Sequence, residues 1–253
     1  MRRRPAGEGY HLTPVRHNLQ MPDKRPGHPY GSLRKGSIPD RAPFDLARHH
    51  VVPYNQLREL WNANIGDTGP AHGLLRVLEE QVRQYADMSE QLKSADIEQV
   101  RRLCAEVADG RVVHDPGGNR HDGWDSFCQV YAWLPGNLFI GPRERVDDPD
   151  ESFEKDAGPI FRSTGEVTSL YENLSLVNQK IDEHRKAGSG RPDLAGEAFG
   201  KLAEIAGRAR YMDFEASHWT WEDDPAELKR LKAKKSKPGL RIRPGTDPQP
   251  SSS

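Results

Sequence analysis

Apolar residues recur along this chain at two different periods, and the change of period marks out its elements. Beyond Gly69, the residues Leu74, Leu75, Leu78, Val82 and Tyr85 return every three to four positions, the spacing that lines one face of an α-helix. Pro70 suits the first turn of that helix, where its missing N–H is not needed. Ile97, Val100, Leu103, Cys104 and Val107 repeat the pattern, with Ser94 placed to cap and Gly110 to stop. The two stripes predict a helical hairpin over residues 69–110 whose apolar faces are core. Leu170, Leu174, Val177 and Ile181 predict a third helix after Ser163, and a fourth is expected from Asp193 to Tyr211.

Elsewhere the period shortens or disappears. His49 to Val52 reads as a short strand stopped by Pro53, because proline cannot continue a ladder. Asn55 is expected to cap a short helix carrying Leu57, Leu60 and Trp61 on one face, which leaves through an Asn-rich stretch containing Gly66. Over residues 111–141 the helical period is lost. Val112-Val113, a turn at Asp115-Pro116-Gly117-Gly118 and the aromatic and β-branched run Phe127 to Trp133 predict strands joined by turns. Residues 1–43 scatter Pro and Gly among few aliphatics and are expected to be a flexible basic leader, with the fold beginning near Phe44. Residues 225–253, Lys-rich and then Pro/Ser-rich, are expected to be a disordered tail. The prediction is an α+β protein, mainly helical, with one domain over residues 44–224.

Composition adds a charge asymmetry to this picture. The net charge of -1 conceals +6 in residues 1–50, +6 in residues 225–253 and -13 between them. Basic ends on an acidic body suit phosphate backbones, through counterion release, or solvated linkers. Two cysteines, Cys104 and Cys128, are too few for a disulfide framework or a four-thiolate zinc site. No window approaches the ~18 consecutive apolar residues of a membrane span, and no apolar stretch follows the Arg-rich start as a secretory signal would require. Cytoplasmic synthesis without a membrane partner is expected.

The residues fitted for chemistry begin at His49-His50. Phosphodiester hydrolysis needs a base to activate water and positive charge where the phosphoryl and leaving oxygens become negative; histidine supplies the first and a metal ion the second. Neighbouring strand residues face opposite ways, so the pair is expected to divide the work rather than chelate one ion side by side. Downstream stand Pro135-Gly136-Asn137-Leu138-Phe139-Ile140-Gly141-Pro142 and an acidic run, Asp147-Asp148-Pro149-Asp150-Glu151, with Glu154 one turn on. Other histidines have simpler readings. His114-Asp115 and His121-Asp122 flank a Gly-rich turn, either as turn caps, the favoured reading, or as a joint metal or phosphate site; His218 is read as packed beside Trp219 and Trp221, and His184 as complementing a helix dipole.

The segments Ala47-Arg48-His49-His50-Val51-Val52-Pro53 and Pro135 to Pro142, about fifteen residues of 253, resemble the split active site of the HNH, or ββα-metal, endonucleases, a family that includes secreted antibacterial DNases. In that family the first histidine binds the metal, the second acts as general base, an Asn on the second strand orients the base, and a ligand from the following helix completes the site. The resemblance implies a small ββα-metal core, with His49 as ligand, His50 as base and Asn137 as orienter. The family's last histidine has no counterpart after Asn137; Asp148, then Asp147, then Asp150 are the candidates in its place. Carboxylates favour Mg²⁺ or Mn²⁺, histidine Zn²⁺ or Ni²⁺.

His50 and Asn137 stand 87 positions apart, so the 69–110 hairpin must be an insertion whose ends meet, which the logarithmic growth of loop-closure cost permits. Arg48, Arg143 and Arg145 are candidates for phosphate contacts, with ion pairs to Asp147 and Asp148 as the alternative for the last two. The implied activity is metal-dependent hydrolysis of DNA, with RNA as the alternative substrate, and nonspecific rather than site-specific, since no readout module is evident. The setting implied is an antibacterial effector delivered into a target cell by a secretion system and masked by a cognate immunity protein, or a phage-related or defence nuclease. From a different class, a noncatalytic nucleic-acid-binding or assembly protein would use the basic ends alone.

Overall fold

A computed structural model describes residues 24–39, 42–64, 69–111, 121–145, 148–162, 168–188, 191–208, 210–221 and 240–242. The predicted turn at residues 115–118, with His114, lies outside these, as does Asp147. The element order is β1 (Leu46–His50), α1 (Tyr54–Ala63), α2 (His72–Asp87), α3 (Ser94–Ala108), α4 (Trp124–Ala132), β2 (Leu138–Pro142), α5 (Gly158–Arg162), α6 (Thr168–Ala187), α7 (Pro192–Ala206), β3 (Trp219–Trp221) and β4 (Leu240–Ile242). The protein is α+β and mainly helical, as its periodicities predict.

The stripes of α2 and α3 are buried along their lengths and pack on each other. Gly110 ends the hairpin at φ 67°, a left-handed conformation that a side chain would strain. The caps differ from expectation. Lys93, not Ser94, occupies the N-cap of α3, and the Asp96 carboxylate accepts from its N–H at 2.8 Å. Pro53 precedes α1, while Asn55 lies in the first turn and accepts from the N–H of Gln56 at 2.8 Å. α6 and α7 form a second packed pair, and α7 also packs on α2.

The run Phe127 to Trp133, read as a strand, is mostly helix: α4 covers Trp124–Ala132. Trp124, Phe127, Cys128 and Tyr131 are all buried, so four residues at helical spacing hold it. Aromatic and β-branched content signals a surface that packs, whichever backbone carries it. Trp61 of α1 is the focus of this packing, with the rings of Phe127 at 5.0 Å, Tyr131 at 5.3 Å, Phe199 at 6.4 Å and Trp124 at 6.5 Å. Aromatic pairs at such separations stabilise beyond the area they bury.

Both ends contribute more structure than composition suggests. Residues 24–39 are packed on the fold: Tyr30 is 2% exposed and donates to the carbonyl of Trp133, and Gly36 pairs with Phe44. At the other end, Leu240–Ile242 pairs with Trp219–Trp221 as an antiparallel ladder.

The ladder that positions the candidate chemistry is β1–β2. It is antiparallel, with His49 opposite Phe139 and His50 opposite Leu138, so residues far apart in the chain become cross-strand neighbours. Between the two strands run α1 to α4, a longer stretch than the 69–110 hairpin alone. The outer edge of β2 is covered in turn: Ile140 donates to the carbonyl of Met212 at 2.8 Å, and Met212 donates back to Leu138 at 3.1 Å.

Candidate active site

Adjacent positions at the end of β1 send His49 and His50 to different surroundings, as strand alternation requires. His49 stacks on its cross-strand partner Phe139, ring centroids 5.3 Å apart. Its Nε2 lies 2.9 Å from the carbonyl oxygen of Pro142, and its Nδ1 lies 3.1 Å from Oδ2 of Asp148. Gly141 makes room for this: a Cβ there would come within 2.7 Å of the Trp219 ring and 3.3 Å of the His49 ring. Asp148 comes from the connection after β2 rather than from a helix, because the helix that follows, α5, begins ten residues later at Gly158.

A carbonyl oxygen and a carboxylate are both acceptors, yet a neutral imidazole carries a single N–H. With that N–H donated to Pro142, Nδ1 turns a lone pair toward Asp148. A cation shared by Nδ1 and the carboxylate, or a second proton on the ring, satisfies both groups. Ligand atoms at about 2.0–2.1 Å from a hard divalent ion, set at right angles, are about 3 Å apart. Donation of the remaining ring N–H to a backbone carbonyl is the usual support of a metal-binding histidine. His49 and Asp148 thus stand at a separation that two ligands of one ion would have, and that a protonated ring on a carboxylate would have as well. Among the described residues no group of three or more His, Cys, Asp or Glu suited to hold one assembles. Asp150 is exposed, at φ 53°, with its N–H directed at Oδ1 of Asp148. Burial raises the Asp148 pKa, but the hydrogen bond and charge of His49, then Arg145 and the Asp150 N–H, outweigh it and hold the carboxyl below its ordinary value.

His50 is buried. Its Nε2 lies 2.7 Å from the carbonyl oxygen of Ala132, its ring sits 4.5 Å from that of Trp133, and its Nδ1 is 3.4 Å from Nη1 of Arg25. Burial drives its pKa down, the Ala132 carbonyl pulls it partly back, and the charges of Arg25 and His49 depress it further, to about 3. His50 is thus a neutral imidazole at ordinary pH. Donation to Ala132 fixes the tautomer with Nδ1 as acceptor, the form a general base requires.

Asn137 lies at the start of β2, fully buried, and its hydrogen bonds go to the turn rather than to the His50 ring. Oδ1 accepts from the N–H of Val52 and Nδ2 donates to the carbonyl of Val52, both at 2.8 Å. The backbone carbonyl of Asn137 accepts from Val51, and the carbonyl of Val51 accepts from Glu154, at 3.0 and 2.9 Å. All four polar backbone groups of Val51-Val52 are thereby held. Asn137, expected to orient the base, makes these hydrogen bonds to the turn that follows His50.

The candidate phosphate-binding arginines separate. Arg48 is buried between Tyr30 and Tyr211, and donates to Gly31 O at 2.7 Å and Tyr211 Oη at 3.0 Å. Arg145 forms a buried pair with Glu154 at 2.8 Å beneath Phe139 and Trp219. These two guanidinium groups face the interior, where they brace the strands. Arg143 is exposed, 3.5 Å from Asp45. Of the remaining histidines, His121 accepts from the N–H of Gly123 at 3.0 Å, as a turn cap does, and His218 is buried near Glu215.

Sequence reasoning missed Arg25, Trp133 and the carbonyls of Ala132 and Pro142. Arg25 lies in a segment without periodicity, and backbone carbonyls have no sequence signature. Trp133 is visible only as an aromatic beside α4.

No protein-family model and no solved structure matches the chain. A stretch is 29% identical over 127 residues to protein p9 of Acyrthosiphon pisum secondary endosymbiont phage 1, an alignment covering 45% of this chain and 34% of that protein. The chain thus spans about a third of the relative's length.

Proposed function

We propose that this chain is a metal-dependent nuclease of the HNH type, hydrolysing phosphodiester bonds in DNA. The observation that carries the reading is the pairing at the end of β1: a histidine whose Nδ1 lies 3.1 Å from a carboxylate, next to a buried histidine whose Nε2 lies 2.7 Å from a backbone carbonyl. His49 and Asp148 would hold one divalent ion, Mg²⁺ or Mn²⁺ by the carboxylate and Zn²⁺ or Ni²⁺ by the imidazole, which supplies Lewis-acid stabilisation to the phosphoryl and leaving oxygens. Asp147 and Asp150 remain the candidates for a further ligand. His50 accepts the proton of the attacking water at Nδ1 and holds its own Nε2–H on Ala132. Asn137 keeps the turn between strand and α1 in one shape, which preserves the offset between ligand and base.

Similarity to a phage protein adds weight to a phage-related setting over an antibacterial effector with a cognate immunity protein. Among the described residues no helix is long and apolar enough to cross a membrane. The burial of His50 under Trp133 and Arg25 favours a second reading, a noncatalytic nucleic-acid-binding or assembly protein in which the histidine pair is structural.

Purified protein incubated with supercoiled plasmid, or with RNA, in Mg²⁺, Mn²⁺, Ni²⁺, Zn²⁺ or EDTA separates the two readings. Nicking dependent on metal is expected. His50→Ala should lower the rate by ~10²–10⁴-fold with metal affinity retained, and His49→Ala should weaken metal binding so that added metal restores part of the activity. Intact plasmid under every condition, at high protein concentration, leaves the noncatalytic reading standing.

A further inference from the structure

A cleft of about 360 Å³ opens beside the candidate metal pair. Two arginines, Arg25 and Arg58, line it together with the start of α1 and the carboxylates of Asp148, Asp150 and Glu151. Asp148 is also the residue that meets His49, so whatever enters the cleft lies beside the proposed ion.

Arg25 is held there by its neighbours' structure. Its guanidinium lies 4.9 Å from the centroid of the Trp133 ring. On either side of it, Tyr54 donates to the carbonyl of Lys24 at 3.4 Å and the Trp133 indole donates to the carbonyl of Pro26 at 2.7 Å. Among the described residues no carboxylate pairs with Arg25; its polar neighbour is Nδ1 of His50, 3.4 Å away. A guanidinium placed over an aromatic face at the mouth of a cleft, without an anionic partner, is arranged to receive one. The first turn of α1 contains no acidic residue, so the positive end of that helix adds to the same field.

We propose that Arg25 anchors the substrate's phosphodiester group in this cleft, with Arg58 beside it. The inference rests on the nuclease reading and extends it to a residue outside the resemblance. Arg25 meets both the Trp133 ring and Nδ1 of His50, the proposed base.

The test measures binding and cutting separately. A fluorescein-labelled short DNA duplex is titrated with full-length protein in EDTA across a salt series, and plasmid nicking is followed in metal. Arg25→Ala should bind about tenfold more weakly, with the slope of log K against log salt reduced by about one. Arg25→Lys should keep the slope and recover part of the affinity. Arg34→Ala, an exposed leader arginine away from the cleft, serves as the charge-matched control and should change both little. Circular dichroism melting establishes that each variant is folded. If Arg25→Ala fails that check, Arg25→Met, which retains the stem over Trp133, takes its place. Equal effects of the Arg25 and Arg34 substitutions, or wild-type affinity and slope in a folded Arg25 variant, overturn the anchor. Wild-type protein that binds the duplex but cuts in no metal defeats the nuclease reading, and the binding arm still decides Arg25.

Discussion

At the scale of single residues, the buried amide of Asn137 shows how a side chain can replace a strand partner. Val52 lies beyond the last residue of β1, so its N–H and C=O have no ladder, and Asn137 supplies one acceptor and one donor at 2.8 Å. An unsatisfied buried polar group costs about 1–3 kcal/mol. Asn137→Ala, which orphans both backbone groups, is therefore expected to lower unfolding stability by about 2–4 kcal/mol and to slow cleavage, with metal affinity nearly unchanged. Urea denaturation and calorimetry with metal check the two parts. Loss of ion binding in a folded Asn137→Ala protein would mean that the amide belongs to the metal site after all. His49 and His50 make the complementary point: identical side chains acquire different surroundings, one meeting a carboxylate and the Pro142 carbonyl, the other the Ala132 carbonyl beside an indole.

At the scale of elements, the departures from expectation share a cause. α4 was legible at the positions Trp124, Phe127, Cys128 and Tyr131, whose helical spacing competes with an aromatic and β-branched composition that favours strand. The packing around Trp61 decides between them. The segment 24–39 has few aliphatics, yet Tyr30, Arg25 and Arg48 join it to β1, α4 and the start of α1. Removal of residues 1–23 should weaken DNA affinity through lost charge. Removal of residues 1–39 should lower the melting temperature by at least several degrees, since it strips Tyr30 from its site and uncovers the Trp133 and His50 rings. Equal melting temperatures for the two shortened proteins would show that the segment lends no stability.

At the scale of the whole molecule, four histidines, His28, His50, His121 and His218, have pKa values below the ordinary 6.5, each first through burial. An unfolded chain takes up those protons first as pH falls, so the stability that these neutral rings contribute is complete above about 6.5 and declines below it. For His50 the decline continues to about 3. The melting temperature in EDTA should therefore fall between pH 7 and pH 5, above the range where carboxylates such as Asp148, held low, begin to titrate. His50→Gln, which cannot titrate, should flatten that fall. A melting temperature independent of pH across this window would contradict the burial of the four rings. The charge asymmetry belongs to this scale as well: the excess of positive charge lies in the terminal segments, while the cleft itself combines arginines with carboxylates.

What the sequence by itself determined is what local periodicity and residue chemistry encode. The buried faces of α2, α3, α6 and α7 follow from apolar spacing, and the end of β1 follows from a proline after a short aliphatic run. His49, His50, Asn137 and Asp148 stand out because few side chains can ligate, accept a proton or satisfy two backbone groups at once. Tertiary structure decided everything that depends on partners far along the chain. It set His49 against Asp148 and the Pro142 carbonyl, and His50 against the Ala132 carbonyl and Arg25. It also turned Asn137 toward Val52 and drew Arg48 and Arg145 inward. The physical reason is that hydrogen-bond partners and burial are properties of assembled surfaces. A backbone carbonyl is the same in every residue, so only the pairing of β1 with β2 across the intervening helices determines which one a histidine meets.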